Sequence, residues 1–408
     1  MSNTPVAVVG AGLAGLACAT TLHAAGVDVQ VFEAADGVGG RVRSDIVDGF
    51  TLDRGFQVAL TAYPEMHRQL DMDALDLRAF DPGALVWRDG KGSEVSDPFR
   101  KPTSLVSTTF APIGNVLDKA RIALLRAKLR RGHPVKLLQS EDITTAQALS
   151  DAGFSDTMIR RFFRPLVGGI QLDPDLLDSR RMFDVIFRML ADGDSAVPAA
   201  GMQAIPDQLV AALPDGVVHL DHSVESATSS SVRVNGSDVD ASAVVIATEG
   251  PAAASLLGLE PVGSKAAGCV YFAADEAPTD TKCVVLDGTG DGPVLNVAVM
   301  SNVSPGYAPT GKHLIAAALP AVANGDLEQL ARKQLRGWWG AQVDRWDHLA
   351  TYRIPHGQPR QAPPFSPKKS VALTDGRFVC GDHRDTASIQ GALHSGRRCA
   401  EAVLATLT

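Results

Sequence analysis

The chain has 408 residues, 45% of them apolar, and a formal net charge of −8. That length suits two domains, and the acidic balance argues against nucleic acid as a partner. With no run of eighteen apolar residues, a first strand starting by about residue 5 and five scattered cysteines without metal spacing, the expectation is a cytoplasmic chain with reduced thiols, no leader and no spanning helix.

Residues 6–9 are apolar and β-branched and read as a buried strand. Gly10-Ala-Gly12-Leu-Ala-Gly15 follows, then a small-residue helical pattern over 13–25 and a second strand over 27–32 that ends at Glu33. This is the dinucleotide fingerprint in its strand–turn–helix–strand context. Gly10 allows the tight turn, Gly12 lets backbone approach a pyrophosphate, and Gly15 lets the helix pack on the sheet. The helix N-terminus at Leu13 and Ala14 offers free N–H groups to phosphate. Glu33, with Ala34 beside it, is placed to accept hydrogen bonds from a ribose diol.

Gly37-Val-Gly39-Gly40-Arg41-Val42-Arg43 comes next. It resembles the signature of the large FAD family that includes glutathione-reductase-like enzymes, amine oxidases and carotenoid desaturases. The resemblance implies FAD rather than NAD, with Gly39, Gly40, Arg41 and Val42 near the phosphates. Residues 44–60 alternate and turn at Asp48-Gly49, as a hairpin does. In the flavin families the following Gly55, Phe56 and Gln57 bring backbone beside the isoalloxazine ring. A helix is expected over 61–70 and a strand pair within 80–97.

Residues 114–131 are predicted helical, with Ile122, Leu125 and Leu129 on one face and Lys119, Arg126 and Arg130 on another. Such a basic amphipathic helix either lies on an anionic membrane surface or is a half-buried domain helix with a solvated face. Helices are also expected over 144–155, 158–167, 179–190 and 206–213. From 217 the pattern becomes a β-meander containing Val224, closing on a buried strand that ends at Ala247-Thr248, where a parallel sheet holds its ligand. Four more strands are expected within 268–319. Gly288-Thr-Gly290-Asp-Gly292 precedes a strand, so it reads as a hairpin loop rather than a second nucleotide site. A helix over 324–341 and a proline-rich crossing loop over 355–367 follow. The last strand, 376–380, leads into Gly381-Asp382, and a helix starting at Ser388, Ile389, Gln390 and Ala392 runs to Leu407. Its first turn would aim N–H groups at the flavin ring. His383 is either at the flavin edge or in an exposed loop.

With both ends read, the chain resembles the flavin amine oxidase and desaturase superfamily, and within it the plant and cyanobacterial type phytoene and ζ-carotene desaturases. Gly10 through Arg41, Gly55-Phe56-Gln57 with Ala62-Tyr63-Pro64, and Gly381-Asp382, Ser388, Gly391-Ala392 and Ser395-Gly396 carry that resemblance. It implies an α/β FAD-binding Rossmann-like domain of glutathione-reductase type (1–60, 196–260 and 368–408) with an inserted α+β substrate domain (61–195 and 261–367), amine oxidase-like. It implies non-covalent FAD and hydride removal from a small apolar substrate, with electrons passed to oxygen or a quinone. No metal and no catalytic side chain follows. Arg164, Phe187, Met189, Tyr271 and His356 are pocket candidates. The alternatives are an amine oxidase forming peroxide, a redox-neutral isomerase and a non-catalytic escort protein. Ser388 stands where monoamine oxidases place an aromatic, and the 382–388 loop is shorter than in the desaturases.

Overall fold

The computed structural model describes residues 4–96, 100, 111–322 and 324–407. Strand Val6–Val9 is the middle of a five-stranded parallel sheet, in the order Val218–His219, Val29–Phe32, Val6–Val9, Val244–Ile246, Phe378–Val379. A parallel sheet is covered on both faces, and successive side chains point to opposite sides. Val6, Val8, Val31 and Val245 pack under helices Leu13–Ala24 and Ile389–Leu407 through Leu16, Ala17, Leu393, Cys399 and Val403. Ala7, Val9, Val244 and Ile246 face the other way, onto Val232 and Val234 of an antiparallel meander, Val224–Ala227, Ser231–Val234 and Ser237–Asp240. Each such Val or Leu, fully buried, contributes about 1.5–3 kcal/mol. The two covering helices touch through glycine: a Cβ on Gly396 would lie 2.1 Å from the Ala14 carbonyl oxygen.

A second, seven-stranded sheet runs Asp347–Pro359, Ser264–Ala274, His313–Pro320, Asn296–Val299, Val284–Asp287, Gly83–Arg88, Lys91–Ser96. All its pairings are antiparallel except that of Val284–Asp287 with Gly83–Arg88. One face, through Val270, Phe272 and Ile315, packs on helix Leu327–Trp339 and the Trp338, Trp339 and Trp346 rings. The other, through Cys269, Tyr271 and Ala316, joins the core beneath the parallel sheet's helices. A third sheet pairs Ser195–Pro198 with both Ala59–Leu60 and Leu77–Ala79.

The helical layer consists of Val116–Leu129, Thr145–Asp151, Ile159–Gly168 and Arg180–Asp192 around Met158, Phe162, Phe163 and Phe183. Ile159–Gly168 is a π-helix rather than the expected α-helix. Pro165 lies inside it and brings no N–H to an α-helical ladder, which favours wider winding. Helix Val116–Leu129 starts in a capping box between Asn115 and Asp118. Its Ile122 and Leu125 pack against that cluster, half-buried, and Leu129 is buried, the face expected to turn inward. Its charged face is less free than the pattern implied: Arg130 bonds Asp192 at 2.7 Å, and Lys119 donates to the Ala111 carbonyl at 2.9 Å. Instead, Val116, Leu117 and Leu124 are 68%, 63% and 69% exposed.

Other elements fall close to expectation. Asp48 and Gly49, both at positive φ, turn the hairpin Ser44–Val47/Phe50–Asp53. Residues 288–292 form a hairpin loop tied by the Asp287 carboxylate to the Thr289 and Gly292 N–H groups. The crossing loop expected over 355–367 is wrong in its first third, because strand Asp347–Pro359 continues to Pro359. The five cysteines are free and buried, and among the described residues no His, Cys, Asp or Glu cluster suits a metal. No described helix is long and apolar enough to cross a membrane.

Candidate functional site

The two glycine runs meet backbone to backbone at the end of Val6–Val9. Gly39 donates its N–H to the Ala11 carbonyl at 2.8 Å and bridges Gly12. A Cβ on Gly40 would lie 3.4 Å from the Gly12 Cα. Gly10, at φ +105°, packs against Ala247 and the Thr248 nitrogen, and Gly15 presses on the Gly10 carbonyl. Gly12 is different: a Cβ there would meet nothing within 4 Å. It opens onto the first turn of helix Leu13–Ala24, where Leu13 and Ala14 N–H groups have no intrahelical acceptor.

Glu33 closes this end. Its carboxylate accepts the Ala11 N–H at 2.7 Å and the Ala35 N–H at 2.9 Å, with Ala34 exposed between them. Each oxygen keeps a further lone pair for a hydroxyl. His222 donates its backbone N–H to the Glu33 carbonyl at 2.8 Å, which brings the half-buried Val224 segment alongside. The Thr248 hydroxyl, at the end of Val244–Ile246, is buried with no partner among the described residues. Buried polar groups are normally satisfied, so this orphan points to a missing ligand.

Arg41 spans to the other end. It donates to the Asp382 carboxylate at 2.7 Å and to the Gly357 carbonyl at 2.8 Å. Arg41 and Asp382 line a small cleft together with His356, Gln358, Glu249 and Ser264. Val42 is buried in the core. Gln57 turns its amide inward, donating to the Arg41 and Arg54 carbonyls, and so braces Arg41 by its side chain. Gly55, at φ +95°, has no room for a side chain beside Ile354, and Phe56 packs edge-on against Phe80.

At the last helix, the Ser388 hydroxyl accepts the Gly391 N–H at 3.1 Å and acts as the cap. That leaves the first-turn N–H groups of Ile389 and Gln390 without helical acceptors. The Gln390 amide is turned away, accepting the Glu65 N–H at 2.9 Å, and Ala392 packs on the core. Gly381, at φ +145°, donates to the Ser395 hydroxyl. His383 is 5% exposed rather than in an open loop, both ring nitrogens lack partners among the described residues, and burial pushes it down to about 4, so it is neutral. Cys380, directly before Gly381, is sealed against the Ala14 carbonyl.

Of the pocket candidates, only His356 reaches the Arg41–Asp382 cleft. Tyr271 is core: its hydroxyl donates to the Asp53 carbonyl at 2.9 Å. Met189 is buried in the same core, and Phe187 belongs to the phenylalanine cluster around Phe163. Sequence reasoning missed Asp53 as a junction. Its carboxylate accepts from Ser44, the Met202 N–H and Tyr307, and burial raises it to about 6 against those bonds. An acid placed on the inward face of a strand was the signal available.

A dinucleotide fits this set: an open glycine floor, free helix N–H groups, an acceptor carboxylate at one end and a second helix pole at the other. Over residues 13–404 the chain matches the flavin containing amine oxidoreductase family. It is 26% identical over 260 residues to protoporphyrinogen oxidase 2, chloroplastic/mitochondrial, of Arabidopsis thaliana, covering 55% of this chain and 51% of that protein. Over 55 residues it is 53% identical to the ζ-carotene-forming phytoene desaturase of Myxococcus xanthus, 14% of this chain and 11% of that one. The chain thus spans about half the length of the first relative and far less of the second. The fold matches an oxidoreductase from Methanosarcina mazei with a TM-score of 0.76 at 20% identity, over 97% of this chain and 100% of that one. The chain belongs to the flavin containing amine oxidoreductase family.

Proposed function

We propose that the enzyme removes hydride from an apolar substrate, in the manner of a dehydrogenase or desaturase, and passes the electrons to oxygen or a quinone. The observation that carries this reading is that two carboxylates beside Gly55, Asp53 two residues before it and Asp45 paired with the intervening Arg54, are both committed. Asp53 is held by Ser44, Met202 and Tyr307, and Asp45 by Arg54 and Tyr352. With those acids tied up, neither is free to act as a base, which favours hydride removal, a reaction that needs none from the protein. Bound FAD supplies the two-electron redox chemistry.

The chain's own residues hold and tune it. Leu13 and Ala14 N–H groups bind the pyrophosphate, Glu33 takes the ribose hydroxyls, and Thr248 gives its unpaired hydroxyl to the cofactor. The N–H groups of Ile389 and Gln390 sit at the positive pole of a long helix, where they would favour negative charge on a ring bound there. FAD is held without a covalent bond, as the buried cysteines favour. Val116, Leu117 and Leu124 serve as a peripheral membrane contact through which an apolar substrate arrives.

The test is anaerobic photoreduction of the FAD-loaded protein, followed by oxygen. Slow reoxidation supports a quinone-linked desaturase. Rapid reoxidation with peroxide leads instead to the amine oxidase alternative and a screen of amines. No flavin band after adding FAD overturns the whole reading.

A further inference from the structure

Beyond the cofactor cleft, three side chains close in the fold hold buried polar atoms that no described residue satisfies. They are Arg164 through Nε, Gln171 through both amide atoms, and Asn296 through Oδ1. Gln171 is 2% exposed and Asn296 5%. Orphaned buried groups of this kind are costly and rare, and several in one place call for a ligand or a water cluster.

Backbone contacts hold the three together. Asn296 donates its amide N–H to the Pro165 carbonyl at 3.2 Å, next to Arg164. A Cβ on Gly169 would lie 2.1 Å from that Nδ2, so the Asn296 amide is wedged and its Oδ1 must face away. Gln171 follows at once, its N–H held by the Val167 carbonyl at 2.8 Å. All of this surrounds the C-terminal end of the π-helix Ile159–Gly168, and π-helical turns recur at functional sites. The segment also borders the cofactor cleft. The Ile170 carbonyl accepts the Gln358 amide at 2.9 Å, and Leu172 abuts Gly357, whose carbonyl takes Arg41.

The unsatisfied set is two donors, Arg164 Nε and Gln171 Nε2, two acceptors, Gln171 Oε1 and Asn296 Oδ1, and one positive charge. Among the described residues no carboxylate pairs with Arg164. A guanidinium and an amide N–H together suit a carboxylate, and the two acceptors suit an adjoining N–H or O–H. We infer that Arg164, Gln171 and Asn296 form the polar end of the substrate site and take the acid group of an otherwise apolar substrate. The inference rests on the oxidoreductase reading for its substrate and narrows it: the substrate is an amphiphilic acid rather than a plain hydrocarbon.

The FAD-loaded protein is titrated by calorimetry with dodecanoate and, separately, with dodecan-1-ol, which share a tail and differ in the head. Dodecanoate is expected to bind at least about ten-fold more tightly. Gln171→Leu and Arg164→Met each bring the two affinities together. Gln171→Glu, nearly isosteric, weakens dodecanoate about ten-fold and leaves the alcohol unchanged. Equal affinities in the parent overturn the inference. So does a Gln171→Leu protein that gains thermal stability but keeps the acid preference, since the orphans then hold only water. Calorimetry needs no flavin reduction. Selective acid binding by a protein that no substrate reduces therefore refutes only the hydride-removal reading, and normal reduction without acid preference refutes only this one.

Discussion

Gly12 and Gly15 are one helical turn apart, and the structure gives them opposite jobs that alanine separates. Gly12 sits at φ −73° and ψ 173°, open to any residue, and its added Cβ meets nothing within 4 Å. Gly12→Ala should therefore leave the cofactor-free protein within about 0.5 kcal/mol of the parent. The same open space is the pyrophosphate floor. A methyl there pushes phosphate off the Leu13 and Ala14 N–H groups, and hydrogen bonds to a charged group are worth about 1.5–3 kcal/mol each. Losing one or both weakens FAD by at least about ten-fold and by up to about ten-thousand-fold. For Gly15→Ala, the new Cβ falls 1.9 Å from the Gly10 carbonyl oxygen and 3.1 Å from the Ala247 Cβ. Helix Leu13–Ala24 must lift off the sheet, and such overpacking costs about 1–3 kcal/mol or more. Urea unfolding of the apoprotein and FAD titration by fluorescence quenching measure the two effects apart. A Gly12→Ala protein that unfolds early, or that binds FAD like the parent, refutes the division of labour. A Gly15→Ala protein of unchanged stability does the same.

Further outcomes follow from other parts of the fold. Asp53 has a native value of about 6 against an ordinary 3.8, from burial. The stability tied to its protonated form is full below about pH 4 and lost as pH rises through about 6, a change of about 3 kcal/mol. Asp53→Asn should flatten the pH dependence of the urea midpoint over that window, and superimposable profiles would refute the assignment. Thr248→Val should weaken FAD by about three- to ten-fold without destabilising the apoprotein, because the hydroxyl it removes has no partner among the described residues. A marked loss of apoprotein stability would show the hydroxyl to be structural. Sedimentation with phosphatidylglycerol vesicles should carry down the parent but much less of a Leu117→Ser/Leu124→Ser double variant; equal pelleting would sink the membrane contact.

The nucleotide end was legible because its signals are local. Glycine spacing, a strand of apolar residues and a terminal Glu33 all lie within one short stretch, and each depends on backbone rules that work without the rest of the protein. The backbone bridge between Gly12 and Gly39 was not legible, since nothing in either run names the other. Nor was the pairing of Gly83–Arg88 with Val284–Asp287, which joins segments about two hundred residues apart. Tyr271 looked like a pocket residue because an aromatic in an apolar strand fits a wall or a core equally well. Its bond to Asp53 decides for the core. The π-helix carried one local sign, Pro165 within an otherwise helical pattern, but a proline there also fits a kink or a break. Arg164 was singled out for its charge, whereas Gln171 and Asn296 became visible only once burial showed their amides unsatisfied.

The parallel sheet draws its strands from three distant stretches, residues 6–32, 218–246 and 378–379, and one of its edge strands, Phe378–Val379, comes just before the helix that locks over Leu13–Ala24. During synthesis the glycine fingerprint is therefore made first and finished last. Until residues 378–407 emerge, the floor for the phosphates lacks its covering helix, its Asp382 partner for Arg41 and the pole that faces the ring. The cofactor cannot template the early chain. Its loading waits for residues 378–407, and until they emerge the apolar underside of the first helix is open to non-native contacts.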